Sequence, residues 1–163
     1  MIRASLLLIA FTFTVGPACK SKDDGKGGSA KTAESKGPTK LPKLGLELDA
    51  PGGPEVGDAI MGEGHMLQGS GIGAMSIEVA EKPQTLDEAK ADADMYTPKN
   101  LKAEPLPDGW VLTFDNTGSM GKNFFVEVRR DIGGKTYKCT TTGSEASQAA
   151  AVVAACKTLR KGA

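Results

Sequence analysis

The strongest alternation of apolar and polar positions lies between residues 109 and 142. From Trp110 to Asp115 every second side chain is large and apolar, which predicts a strand with one apolar face. A second run, from Phe124 to Asp131, again places apolar side chains at alternate positions, and a third strand is predicted from Lys135 to Thr142. This stretch therefore predicts the centre of a sheet.

Gly133 and Gly134 separate the second and third runs. They predict a two-residue hairpin loop, because glycine readily adopts the positive φ angles that primed turns require. The loop fixes a register in which Ile132 faces Lys135, Arg130 faces Tyr137, Val128 faces Cys139 and Val126 faces Thr141. Cys139 is therefore expected on the buried side of the sheet.

A helix is predicted after this hairpin, over about 144–161. Ser144 is the expected N-cap, an alanine-rich run follows to Lys161, and Gly162 ends the helix. On a helical wheel one stripe collects Ala149, Val152, Val153, Cys156 and Leu159. Cys156 lies in the middle of that stripe, so it should face the sheet.

The two cysteines are thus predicted on surfaces that meet when the helix packs on the hairpin. A disulfide between Cys139 and Cys156 would span 17 positions and stabilise the fold by about 3 kcal/mol in the chain-entropy model. The alternative is a pair of reduced, buried thiols. Export of the chain, argued below, favours the disulfide.

Weaker patterns precede this stretch. Strands are predicted around Leu44 to Leu48, Met75 to Val79 and Leu101 to Ala103, whereas residues 56–73 give a poor signal. Thr85 and Glu88 form a capping box that opens a helix over about 84–97. The predicted fold is one α+β domain over 44–163, an antiparallel sheet with two packed helices.

This order of strands and helices, from Leu44 to Arg160, resembles the PsbP-like α/β/α sandwich. The resemblance lies in element order and carries no individual functional residue. It implies a protein of the adaptor or assembly kind.

The amino terminus has the pattern of an export signal. Residues 1–18 combine one positive charge with an apolar run that is too short to span a bilayer. The motif Gly16-Pro17-Ala18-Cys19, at the end of this segment, resembles the lipobox of bacterial lipoproteins. The resemblance implies that Cys19 is lipidated and anchors the chain to a membrane. Plain signal-peptidase cleavage after Ala18 is the alternative. Lys20 after the cysteine points, by the same resemblance, to the outer membrane of the cell envelope.

Residues 19–43 are rich in lysine, glycine and serine and are predicted to be a disordered tether. Lys20 to Lys43 has a net charge of +4, whereas residues 44–163 have 12 basic and 17 acidic side chains, a net of −5. The acidic domain argues against nucleic-acid binding. The basic tether would be attracted to an anionic bilayer, or its lysines simply keep a linker soluble.

Catalytic and metal-binding patterns are weak. His65 is the sole histidine, and it is expected in a solvent-exposed loop without the partner ligands that a zinc site requires. No cofactor motif is recognised. The loop from Asn116 to Asn123 is long for a hairpin, and Met120 and Lys122 are its candidate partner-binding residues, unless the loop is idle.

These observations predict a membrane-anchored, exported lipoprotein that binds another protein or an envelope component without catalysis. Two alternatives stay open: a hydrolase that uses His65, and a purely structural component of the envelope.

Overall fold

A seven-stranded antiparallel sheet forms the centre of the structure, a computed structural model that describes residues 37–163. In chain order the elements are β1 (Thr39–Leu41), β2 (Leu46–Leu48), β3 (Glu55–Asp58), β4 (Gly64–Gly69), β5 (Gly73–Val79), α1 (Leu86–Ala93), a 3₁₀ helix (Asp94–Tyr96), β6 (Lys99–Leu106), β7 (Gly109–Gly118), β8 (Gly121–Ile132), β9 (Lys135–Gly143), α2 (Ala146–Lys157) and β10 (Arg160–Lys161). The large sheet has the order β3-β4-β5-β9-β8-β7-β6, and a small sheet has the order β1-β2-β10.

The central hairpin confirms the register predicted from the sequence. Val128 is the register partner of Cys139, and Ile132 is that of Lys135. Gly133 and Gly134 have φ angles of 61° and 82°, as a type I′ turn requires. The capping box at Thr85 is also present at the start of α1.

The two faces of the large sheet are covered by different elements. On one face α2 and the small sheet enclose the main core, which includes Leu41, Ile77, Val128 and Val152. On the other face α1 packs on β7 and forms a smaller cluster around Trp110. The antiparallel sheet and the two packed helices are confirmed, although strands dominate the described residues, so the fold is closer to mainly β than to a balanced α+β domain.

Cys139 and Cys156 form a disulfide that joins β9 to α2. Their Cα atoms are 6.3 Å apart, and both residues are fully buried in the main core. The predicted pairing is therefore confirmed. Its position means that the bond ties the C-terminal helix directly to the centre of the sheet.

The predicted extent of the C-terminal helix is wrong at both ends. The N-cap is Glu145, without a side-chain cap bond, in place of Ser144. The helix ends at Lys157 because Arg130 donates to the carbonyl groups of Cys156 and Lys157. Arg160 then pairs with Glu47, so the last predicted turn is a strand beside β2.

The predicted boundary between tether and domain is also wrong. Thr39–Leu41 forms β1, paired with β2, and the side chain of Leu41 is fully buried. Burial of this leucine offsets the cost of ordering its lysine- and proline-rich neighbours. The predicted signal peptide, Cys19 and the tether up to residue 36 lie outside the described residues.

Candidate binding surface

His65 lies on β4, where the sequence suggested an exposed loop. The residue is 3% exposed, because it faces the main core between β3 and β5. Its Nδ1 is 3.0 Å from the carbonyl oxygen of Gly57, and its Nε2 is 3.1 Å from the backbone nitrogen of Lys43. Both ring nitrogens are thus engaged by the backbone, and nothing in this arrangement favours a hydrolase.

No cluster of three or more histidine, cysteine, aspartate or glutamate side chains within residues 37–163 could hold a metal ion. In the same part of the chain, no helix combines the length and the apolar character needed to cross a membrane.

The long loop predicted over Asn116 to Asn123 is largely strand. β7 and β8 continue to Gly118 and Gly121, so Ser119 and Met120 form a two-residue turn. Met120 is 99% exposed at the tip. Lys122 points back onto the hairpin, with its Nζ 3.1 Å from Asp115 and 5.0 Å from the centre of the Phe124 ring. The structure therefore leaves Met120 accessible and engages Lys122 internally.

Asp115 is a buried carboxylate next to this turn, 6% exposed. Asn100 donates to it across 2.8 Å. This hydrogen bond, followed by the contact with Lys122, lowers the pKa of Asp115 below its usual value.

Asp115 should therefore make the domain acid-sensitive. A carboxylate with a lowered folded pKa stabilises the fold above its ordinary pKa, and the contribution is lost as the pH falls through the lower, folded value. We expect Asp115→Asn to reduce stability at pH 7 and to flatten the pH dependence of the unfolding free energy below about pH 4. Urea denaturation at a series of pH values measures this pH dependence, and Asp94→Asn, at an exposed position, is the control. An unchanged slope in Asp115→Asn would contradict the assignment.

A groove of about 520 Å³ lies on the other face of the sheet, between α1 and strands β8 and β9. We call it the α1 groove. It is lined by Gln84, Asp92, Met95, Tyr96, Phe114, Phe125, Glu127, Arg129, Lys138, Thr140 and Thr142, among others. It exists because α1 packs on β7 and is too short to cover the neighbouring strands.

One end of the α1 groove is aromatic. The rings of Phe114 and Phe125 stack, with centroids 4.6 Å apart, and Tyr96 lies 5.3 Å from Phe125. Asn116 holds the backbone of Tyr96 through a 3.1 Å hydrogen bond. Tyr96 and the adjacent Met95 are nevertheless 48% and 74% exposed. This end thus presents large apolar side chains to solvent from a fixed backbone.

The other end of the α1 groove is organised by Arg129, which is 9% exposed. It donates to the carbonyl oxygen of Lys82 at 2.8 Å, to Gln84 Oε1 at 2.6 Å and to Glu127 at 3.1 Å. Its guanidinium also lies 5.6 Å from the centre of the Trp110 ring. These contacts fix the segment that leads into α1, so Arg129 positions the wall of the groove.

Acidic side chains dominate the exposed side of α1. Asp87, Glu88, Asp92 and Asp94 are exposed there, and Lys90 is the basic residue in this helix. Asp92, which lines the groove, accepts a 2.7 Å hydrogen bond from Gln84. Asp92 is thus the acidic side chain that α1 gives to the groove, whereas the strands give it Glu127, Arg129 and Lys138.

In comparisons with known proteins, no family model and no curated protein matches the chain. The candidate surface therefore rests on its own geometry.

A second cleft, of about 440 Å³, lies between α2 and strands β6 and β7. Its helical wall consists of small side chains such as Ala149 and Ala150. Its two carboxylates are engaged internally, since Glu104 pairs with Lys157 and Asp115 with Asn100. The α1 groove, with its exposed Met95 and Tyr96, is the better candidate for a binding surface.

Proposed function

We propose that this chain is an exported bacterial lipoprotein, anchored through Cys19, whose domain binds a segment of another envelope protein in the α1 groove without catalysis. The observation that carries the proposal is the exposure of Met95 and Tyr96 beside the stacked Phe114 and Phe125. Aromatic residues and methionine are enriched in protein interfaces, where they act as anchors.

The chemistry of the groove selects the class of partner. An apolar side chain fits the aromatic end, and basic side chains beside it complement the exposed carboxylates of α1. The proposed partner is therefore a basic segment with an apolar anchor, presented by a protein of the cell envelope. Helices cover opposite faces of the sheet, which agrees with the layer order of the PsbP-like sandwich. That resemblance implies an adaptor role.

The disulfide supports the export part of the proposal. Structural disulfides form and persist in oxidising compartments and are rare in the cytosol. Pairing of Cys139 with Cys156 leaves Cys19 as the remaining cysteine, which is the residue that the lipobox-like motif assigns to lipid attachment.

Removing the anchor should release the protein. In Cys19→Ser we expect the chain to move from the membrane fraction to the soluble exported fraction, because no acyl chain can be attached. Cell fractionation and mass spectrometry of the N-terminal peptide measure this. Persistence of the variant in the membrane fraction would contradict lipid anchoring, and the fold of residues 37–163 would be unaffected in either case.

Truncating the apolar anchors should weaken partner binding. Met95→Ser combined with Tyr96→Ser is expected to lower recovery of the partner about tenfold or more, as for interface anchor residues. A photo-crosslinking residue placed at position 95 in intact cells identifies the partner, and the double variant is then compared with wild type by pull-down.

Two further variants separate the possible surfaces. Val56→Ser removes an apolar side chain that is 38% exposed on the edge strand β3. Its register partner Leu67 belongs to the main core, so Val56 lies on the face away from the groove and the change should leave binding unchanged. Met120→Ser tests the hairpin tip. Loss of binding in Met120→Ser, with full binding in the Met95 and Tyr96 variant, would move the site to the tip and contradict the α1 groove.

A further inference from the structure

His65 connects the N-terminal hairpin to the edge of the large sheet. Lys43 lies in the turn between β1 and β2, whereas Gly57 belongs to β3. The buried ring bonds to the backbone of both, at 3.1 Å and 3.0 Å. We call His65, the Lys43 amide and the Gly57 carbonyl the histidine latch.

The partners fix the protonation state of the ring. A backbone amide nitrogen can only donate, so Nε2 must accept from Lys43. A carbonyl oxygen can only accept, so Nδ1 must carry the proton that it donates to Gly57. The histidine latch is therefore satisfied by the neutral imidazole with its hydrogen on Nδ1.

A second proton would break this arrangement. The imidazolium ion has a donor on both nitrogens, so a hydrogen on Nε2 would point at the hydrogen of the Lys43 amide. The hydrogen bond to Lys43 would be lost and replaced by repulsion, whereas the bond to Gly57 would persist. Proton uptake therefore acts on the side of the latch that faces the N-terminal hairpin.

Two side chains of opposite charge lie beside the latch. Lys43 Nζ lies 2.7 Å from Asp58 Oδ1, and both side chains are mostly exposed. Asp58 favours a charged ring and Lys43 disfavours it. From β5 the register partner of His65 is the apolar Ile77. The geometry of the two backbone bonds thus decides which form of the ring fits.

The turn that carries Lys43 has bonds of its own. Leu44 donates to Leu41 at 3.1 Å and Gly45 donates to Pro42 at 3.3 Å, so the turn keeps its shape when the latch bond is lost. Leu44 also packs against the main core, so the turn stays attached to it. Leu41 and Leu46, on either side of the turn, stay buried in the main core.

We propose that the histidine latch is a proton-sensitive connection between the large sheet and the hairpin through which the chain enters the domain. At neutral pH the latch holds the turn against β3 and β4. In acid the charged ring gives up its bond to the Lys43 amide, which weakens the contact between the turn and the sheet close to the point where the chain enters the domain. The ion pair between Lys43 and Asp58 remains. The inference is independent of the α1 groove.

Hydrogen exchange of individual amides tests the latch. The Lys43 amide is expected to lose about tenfold in protection between the neutral and the protonated state of the ring, after correction for the intrinsic rate, as for one lost hydrogen bond. The Asp49 amide, which donates to Thr158 Oγ1 at 2.8 Å, serves as an internal control and should keep its protection.

His65→Gln provides the matched variant, because its amide can accept and donate but does not titrate. The pH dependence of Lys43 protection should disappear in it. Nitrogen chemical shifts of the wild-type ring give a second measurement that needs no variant: they should report a proton on Nδ1 at neutral pH and titrate together with the Lys43 amide shift. A proton on Nε2 at neutral pH, unchanged Lys43 protection through the ring titration, or wild-type pH dependence in His65→Gln would each overturn the proposal.

Discussion

Replacing Cys139 and Cys156 together by alanine should lower the free energy of unfolding by about 3 to 5 kcal/mol. The bond closes 17 positions of chain, so its loss enlarges the unfolded ensemble. Both sulfur atoms are also buried where α2 meets β9, and their removal leaves a small cavity. Urea denaturation of the oxidised wild type and of the double variant measures the difference.

Two controls separate the bond from the side chains. Wild-type protein in reductant keeps both sulfur atoms and lacks the bond, so it should show most of the loss. Cys19→Ala should show none, since that residue is not in the pair. A loss below about 1 kcal/mol in the double variant would mean that the rest of the core holds α2 without the cross-link.

Gly109→Ala is expected to destabilise the domain by about 3 kcal/mol or more, from overpacking and backbone strain together. Gly109 begins β7 with a φ of 150°, a region that favours glycine. An added Cβ would lie well inside van der Waals contact with the carbonyl group of Arg129 on β8. That carbonyl group belongs to the paired backbone of the sheet, so it cannot move aside without disturbing the ladder.

Gly143→Ala is the matched control. It lies in the same sheet, opposite Phe124, and an added Cβ would meet nothing within 4 Å. Thermal and urea unfolding of the two variants should differ clearly. Equal stabilities would mean that the backbone at the start of β7 can shift to accommodate the added Cβ at little cost.

The sequence predicts the centre of the fold well because the signals there are local. The alternating runs from Trp110 to Thr142 and the adjacent Gly133 and Gly134 specify strands, turn and register together. The same holds for Thr85 and Glu88, whose capping box needs residues only three positions apart.

Elements that depend on distant partners could not be predicted in this way. β1 has one buried apolar residue, Leu41, among lysines and prolines. No local pattern predicts this strand, which forms by pairing with β2. The helical pattern of α2 continues to Lys161, yet Arg130 and Glu47 end it through contacts with residues far away in the chain. The glycine-rich neighbourhood of His65 predicts a loop, because it hides the short strand β4, which forms by pairing with β3 and β5.

The residues of the candidate site show the same difference between local signals and contacts with distant residues. Tyr96 and Phe114 could be identified as apolar residues, but nothing local indicates that they meet Phe125 in three dimensions. The alternation from Phe124 to Asp131 makes Arg129 only a polar position on a strand. Its bonds to Lys82 and Gln84 span 47 and 45 positions, so its role follows from the packing of α1 on the sheet.

The small sheet and the α1 groove occupy opposite sides of the large sheet. A reporter domain fused to β10, the neighbour of β2 in the small sheet, would therefore stand behind the groove, on the side where the chain enters through β1. Such a fusion should leave the aromatic end accessible, whereas an insertion in the short connection between α1 and β6 would obstruct it.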